Sequence, residues 1–157
     1  EELAGVYEAW CAEHPFDKGK GWGQEPWSQE EMPLDDKTAA RAAQVSDAAL
    51  VIIGRTAGED QDTKAEPGSY LLTDKEKAMI RTVSRHFART AVLLNVGNII
   101  DMKWVEDCAP SAVLYVWQGG MEGGNGAADL MGGECAVRHM ASFLPADGGK
   151  GDFLVVL

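Results

Sequence analysis

Between positions 54 and 70 the chain reads GRTAGEDQDTKAEPGSY, and inside this stretch Glu59, Asp60 and Asp62 crowd their carboxylates between Arg55 and Lys64. Carboxylates held close together cannot all ionise at their ordinary pH. At least one pKa rises, and a carboxyl that stays protonated near neutrality can act as a general acid. The same oxygens would suit a weak cation site, and an acidic loop that only faces water fits the same description. An EF-hand is excluded, because no D-x-D-x-D-G frame with a following Glu can be written here.

The segment that must position these groups is a short apolar run at 48–54, AALVIIG. It is rich in β-branched residues and reads as a strand buried on both faces, as in a parallel sheet. Residues 91–96 (AVLLNV) and 112–117 (AVLYVW) read the same way, and 153–157 as a fourth strand. Between the first two, Thr73-Asp74-Lys75-Glu76 is a capping box that opens a helix through about residue 88. Helical segments at 102–108 and 123–131 supply the remaining crossovers. Strands alternating with helices in this way predict an α/β fold: a mainly parallel sheet flanked by helices, a three-layer α/β sandwich. In such sheets ligands bind beyond the carboxyl ends of the strands. That directs attention to 55–72, 97–101 and 118–125. The first of these is far longer than the usual βα connection of about two to six residues.

Upstream, Leu3, Val6, Tyr7, Trp10 and Cys11 follow helical spacing and predict an amphipathic helix ending at His14-Pro15. Residues 16–32 hold Trp22 and Trp27 among glycines and read as a long ordered loop whose tryptophans need somewhere to pack. Asp35 or Asp36 then caps a short alanine-rich helix to about residue 45.

Composition narrows the function classes. The 157 residues carry 14 basic against 25 acidic side chains, a net charge of −11. That sign repels phosphate backbones and anionic lipid surfaces, which argues against a nucleic-acid or membrane-surface binder. The longest apolar runs are about six residues, where a spanning helix needs about twenty. Cys11, Cys108 and Cys135 lie far apart without a CxxC pair, so neither a disulfide framework nor a structural zinc site is indicated. His14, His86 and His139 have no accompanying ligand set, and no metal is expected. The chain begins at Glu1 and reads as a piece of something longer.

Four blocks in this order, GRTAGEDQD, GSYLLTDKE, VLLNVGNIID and VLYVWQGGMEGGN, resemble the second, C-terminal α/β-sandwich domain of glycoside hydrolase family 3, over residues 46–131. The resemblance implies exo-acting hydrolysis of β-glycosides, β-glucosides foremost, with no cofactor. It also implies a partner barrel domain that carries an aspartate nucleophile. The glutamate of the family's Gly-Glu-x-x-Asp pattern falls on Glu59, which the resemblance makes the general acid/base. Asp62 matches a recurrent aspartate expected to orient the loop or bind sugar hydroxyls, and Asp60 is grouped with it. Arg55 matches an arginine at the strand end that would hold a carboxylate or hydroxyl. The family often has glycine after the glutamate and arginine after the aspartate, where this chain has Asp60 and Thr63. An acid beside Glu59 raises its pKa further by like-charge repulsion.

Outside these blocks the readings are plainer. Asn95-Val96-Gly97-Asn98 reads as turn chemistry at a strand exit. The glycine-rich turn at 118–125 fits neither G-x-G-x-x-G nor a P-loop, so nucleotide binding is unsupported. The resemblance casts that turn as a packing and domain-interface element, with Met121 where glutamine is common. Trp117 reads as core. After Gly133 the family's usual Pro-Ser-Gly-(Lys/Arg)-Leu segment is missing. The expected organisation is a lead-in over 1–45, the sandwich core over 46–133, and an atypical tail over 134–157 that is an added strand or an artefact. The competing expectation is a non-catalytic, flavodoxin-like sugar-binding or scaffold module.

Overall fold

The computed structural model describes residues 2–56, 61–132 and 152–155. Four strands, β1 (Ala48–Gly54), β2 (Arg89–Asn95), β3 (Ala112–Tyr115) and β4 (Asp152–Val155), form one sheet in the order β1-β2-β3-β4, every pairing parallel. The helices are α1 (Glu2–Glu13), α2 (Asp36–Ala43), α3 (Asp74–His86), α4 (Trp104–Cys108) and α5 (Gly123–Gly132). Alternation of strand and helix thus yields the expected α/β class with a parallel sheet, since parallel neighbours require a crossover.

The local signals act where they were read. Asp35 accepts from the Thr38 backbone N–H at 2.6 Å and caps α2. At α3 the capping box is complete: Thr73 Oγ1 accepts from the Glu76 N–H at 3.1 Å, and Glu76 Oε2 accepts from the Thr73 N–H at 2.7 Å. The core lies between α3, α4 and one sheet face, where Val51, Ile53, Val92, Leu94 and Val113 meet Ile80, Val83, Phe87 and Trp104.

The sheet departs from the expected two-faced burial at its edge. Val51 and Ile53 are buried, but Leu50 and Ile52 are 43% and 55% exposed. Leu50 and Ile52 alternate with Val51 and Ile53 and so lie on the sheet face opposite the α3 core, on a strand at one edge of the sheet; on the inner strand β2, Val92, Leu93 and Leu94 are all buried. β3 also stops at Tyr115, two residues short of the apolar run. Trp117 adopts φ 58°, a left-handed backbone that a bulky residue rarely takes, and sits half-buried with its ring 4.6 Å from that of Tyr115.

In α1 the predicted apolar stripe is present but lies open, with Val6 and Tyr7 more than half exposed, while Trp10 stacks on His14. Residues 15–35 contain neither helix nor strand, as expected. Gln29 holds this loop to itself by exchanging two hydrogen bonds with the Asp17 backbone, at 2.8 and 3.2 Å. Trp27 is half-buried, but Trp22 is exposed rather than packed. No helix of the described residues is long and apolar enough to cross a membrane.

Candidate active site

The loop that leaves β1 is closed at its neck by its first residue. The Arg55 N–H donates to the Asn95 carbonyl at 3.3 Å, which carries the β1–β2 ladder one step beyond the strand. The Arg55 side chain then turns inward and is 3% exposed. Its guanidinium donates to Glu76 Oε1 at 2.5 Å and Oε2 at 3.1 Å, and to the carbonyls of Gly54 (2.8 Å), Ser69 (3.2 Å) and Leu71 (3.5 Å). A guanidinium has five N–H donors, so every one is occupied. Two of these acceptors, Ser69 and Leu71, lie at the far end of the loop. Arg55 therefore ties the loop's exit to its entrance.

Glu76 is as fully engaged. It is 1% exposed, and one carboxylate both pairs bidentately with Arg55 and closes the cap of α3. A buried ion pair survives only when the remaining donors and lone pairs are satisfied. Here the loop carbonyls and the Thr73 N–H satisfy them.

Inside the loop, the Lys64 N–H donates to Ser69 Oγ at 3.0 Å and the Tyr70 N–H to the Lys64 carbonyl at 3.1 Å. Gly68 has φ +85°, and a Cβ there would meet Ser28 Oγ at 2.6 Å, so the turn that presents Ser69 requires glycine. The 16–32 loop holds the entry side. The Thr56 N–H donates to the Trp27 carbonyl at 2.8 Å, Thr56 Oγ1 donates to the Pro26 carbonyl at 2.9 Å, and the Gln61 side-chain amide donates to the Gly23 carbonyl. Thr56 and Gln61 are the described residues on either side of 57–60, and both are bound to one neighbouring segment.

The other two strand-end loops meet at the same place. Gln118 Nε2 donates to the Arg55 carbonyl at 3.1 Å. A Cβ on Gly97 would stand 2.7 Å from Gln118 Oε1, so this glycine gives room to the Gln118 side chain besides making a turn. The Tyr115 hydroxyl donates to the Asn98 carbonyl, and burial pushes its pKa up to about 12.

The residues selected from sequence are placed as follows. Glu59 and Asp60 lie outside the described residues. Asp62 is exposed. Arg55 is buried against Glu76, a residue read from the sequence only as a helix cap. Gln118 falls in a strand-end loop that the sequence singled out, without a role of its own there, and the backbone acceptors at 23–27 carried no sequence signal for this site. Among the described residues no group of three or more His, Cys, Asp or Glu is arranged to hold a metal ion. Cys108 is buried, with Sγ 3.7 Å from the Lys77 carbonyl. Burial pushes its thiol pKa up, which suits a core residue and not a nucleophile.

One carboxyl near the Arg55–Glu76 pair is held above its ordinary range. Burial raises the Glu31 pKa, the negative Glu76 adds to the rise, and Arg55 offsets part of it. A carboxyl raised in the folded state favours folding below its unfolded value of 4.5, and this contribution is lost as pH climbs through the folded value. Glu31→Gln, which cannot ionise, is thus expected to raise the unfolding midpoint relative to the parent sequence at pH 7.5. The difference should shrink to nothing below pH 4.5. Thermal unfolding across that range checks it, and a gain of equal size at both ends would refute the assignment.

The loop at the carboxyl end of β1 is thus closed at its neck by Arg55 and tied to residues 23–27 through Thr56 and Gln61. The comparisons with known proteins agree with the fold. A β-glucosidase of Ruminococcus albus is 58% identical over 134 residues, covering 85% of this chain and 14% of that protein. The crystal structure of a β-glucosidase from Paenibacillus barengoltzii superposes with a TM-score of 0.77 at 53% identity, over 85% of this chain and 15% of the other. β-Glucosidase 3B of Thermotoga neapolitana, in its complex with glucose, gives a TM-score of 0.70 at 26% identity, over 99% of this chain and 24% of the other. The chain therefore spans about a seventh to a quarter of the length of these proteins. The family described as glycosyl hydrolase family 3 C-terminal domain matches residues 10–138, and with more than half its length matched, the chain belongs to that family.

Proposed function

We propose that this chain is the second domain of a larger retaining β-glucosidase, in which Glu59 is the general acid/base and a barrel domain carries the aspartate nucleophile. The observation that carries the reading is the Gly58-Glu59-x-x-Asp62 block in a loop that leaves the carboxyl end of β1, within a chain of this family. In a retaining glycosidase one carboxyl attacks the anomeric carbon while a second, about 5–5.5 Å away, protonates the departing oxygen and later deprotonates water. The nucleophile must come from outside this chain's sandwich domain, and a barrel takes about 250 residues. The ties made by Arg55, Thr56 and Gln61, the described residues that flank 57–60, support a loop whose two ends are held in place.

Two measurements test this. The 157-residue chain alone is expected to release no aglycone from aryl β-glucosides above background. The full-length enzyme carrying it is expected to hydrolyse them with the β-anomer of glucose as first product, observed by proton NMR. Turnover by the chain alone, or an α-anomer as first product, refutes the reading. Sugar binding by the full-length protein without hydrolysis would make this a binding module.

A further inference from the structure

We infer that Arg55 and Glu76 form a clasp that positions the acid/base loop, so that Arg55 is a positioning residue for proton transfer to the leaving group. The inference rests on the reading of Glu59 as the acid/base. The guanidinium gathers the strand end (Gly54 carbonyl), the loop exit (Ser69 and Leu71 carbonyls) and the helix that follows (Glu76) onto one buried point. The Arg55 carbonyl in turn accepts from Gln118, which locks the peptide leading into Thr56. A simple surface ion pair would leave the loop's two ends independent. This one makes the loop's entry, exit and anchoring helix move together.

Rigid support of this kind matters for general acid catalysis, because a misplacement of about 1 Å can cost about a hundredfold in rate. A lysine at position 55 would keep the positive charge beside Glu76 but lacks the planar five-donor fork that reaches the loop carbonyls. The charge pairing would remain while the coupling of the loop's ends is lost.

The test uses the full-length enzyme and kcat/KM for two substrates. Methyl β-glucoside needs its leaving oxygen protonated, and dinitrophenyl β-glucoside does not. Arg55→Lys is expected to lower kcat/KM about 10- to 100-fold on the methyl glucoside, and about threefold or less on the dinitrophenyl glucoside. In a Glu59→Gln background, adding Arg55→Lys is expected to cause no further loss on the methyl glucoside, because one residue acts through the other. Equal losses on both substrates, or losses that multiply with Glu59→Gln, would overturn the clasp while leaving the Glu59 reading intact. If Glu59→Gln by itself leaves methyl glucoside hydrolysis unchanged, the Glu59 reading fails and the clasp falls with it. Should Arg55→Lys not fold, Gln118→Met removes the donor to the Arg55 carbonyl at similar volume. It is expected to slow the methyl glucoside alone, about threefold, and an equal effect on both substrates, or none on either, overturns the proposal.

Discussion

Glu59→Gln in the full-length enzyme is expected to lower kcat/KM for alkyl β-glucosides by about 10²- to 10⁴-fold, the range that general acid–base catalysis ordinarily supplies. Glutamine preserves the shape of the side chain and removes only the transferable proton. The ratio kcat/KM reports the first irreversible step, in which the sugar passes to the nucleophile and the aglycone departs. An alkoxide is too basic to depart without a proton, whereas a dinitrophenolate leaves readily. Hence kcat/KM for the dinitrophenyl glucoside should change little. Its kcat should fall, because the second step still needs a base to deprotonate water. Wild-type kcat/KM on alkyl glucosides would show that Glu59 is not the proton donor.

The second large effect is on stability. Glu76→Ala leaves the Arg55 guanidinium buried without its counter-charge, and breaking a buried pair by removing one partner costs about 3–5 kcal/mol. Native domains are stable by only about 5–15 kcal/mol in total. The variant should therefore lose about a fifth of its stability or more, and a less stable chain would be largely unfolded. The exposed pair between Lys75 and Glu30 provides the contrast. Its side chains are 46% and 54% exposed, and water and salt screen such pairs so that they add little. Urea denaturation of the 157-residue chain, followed by tryptophan fluorescence, is expected to show a large shift for Glu76→Ala and a small one for Lys75→Ala. Similar shifts for both would mean that the Arg55–Glu76 pair is more hydrated than its burial implies.

These two residues also show what kind of information each level holds. Glu76 could be read from the sequence as a helix cap, because a capping box is a pattern over four neighbouring residues and its hydrogen bonds close locally. That the same carboxylate also holds Arg55, twenty-one positions earlier, has no local pattern. It depends on β1 delivering its end beside the first turn of α3. The sequence reading assigned Arg55 a carboxylate or a hydroxyl to hold without naming which, and the packing of strand against helix supplied Glu76.

The same division runs through the fold. β1, β2 and β3 were legible as runs of β-branched and aliphatic residues, α2 and α3 from their caps, and the parallel α/β class from their alternation. Each depends on neighbours in the chain. The exposure of Leu50 and Ile52 was not legible, because an apolar run looks the same whether its strand lies inside a sheet or at its edge. The role of residues 23–27 was hidden for another reason: the acceptors for Thr56 and Gln61 are backbone carbonyls, which every residue type carries. The sequence by itself determined the elements, their order and the acidic loop that marks the family. Only the tertiary structure decided what holds that loop, since the contacts that hold it join residues far apart in the chain through groups that composition and spacing do not distinguish.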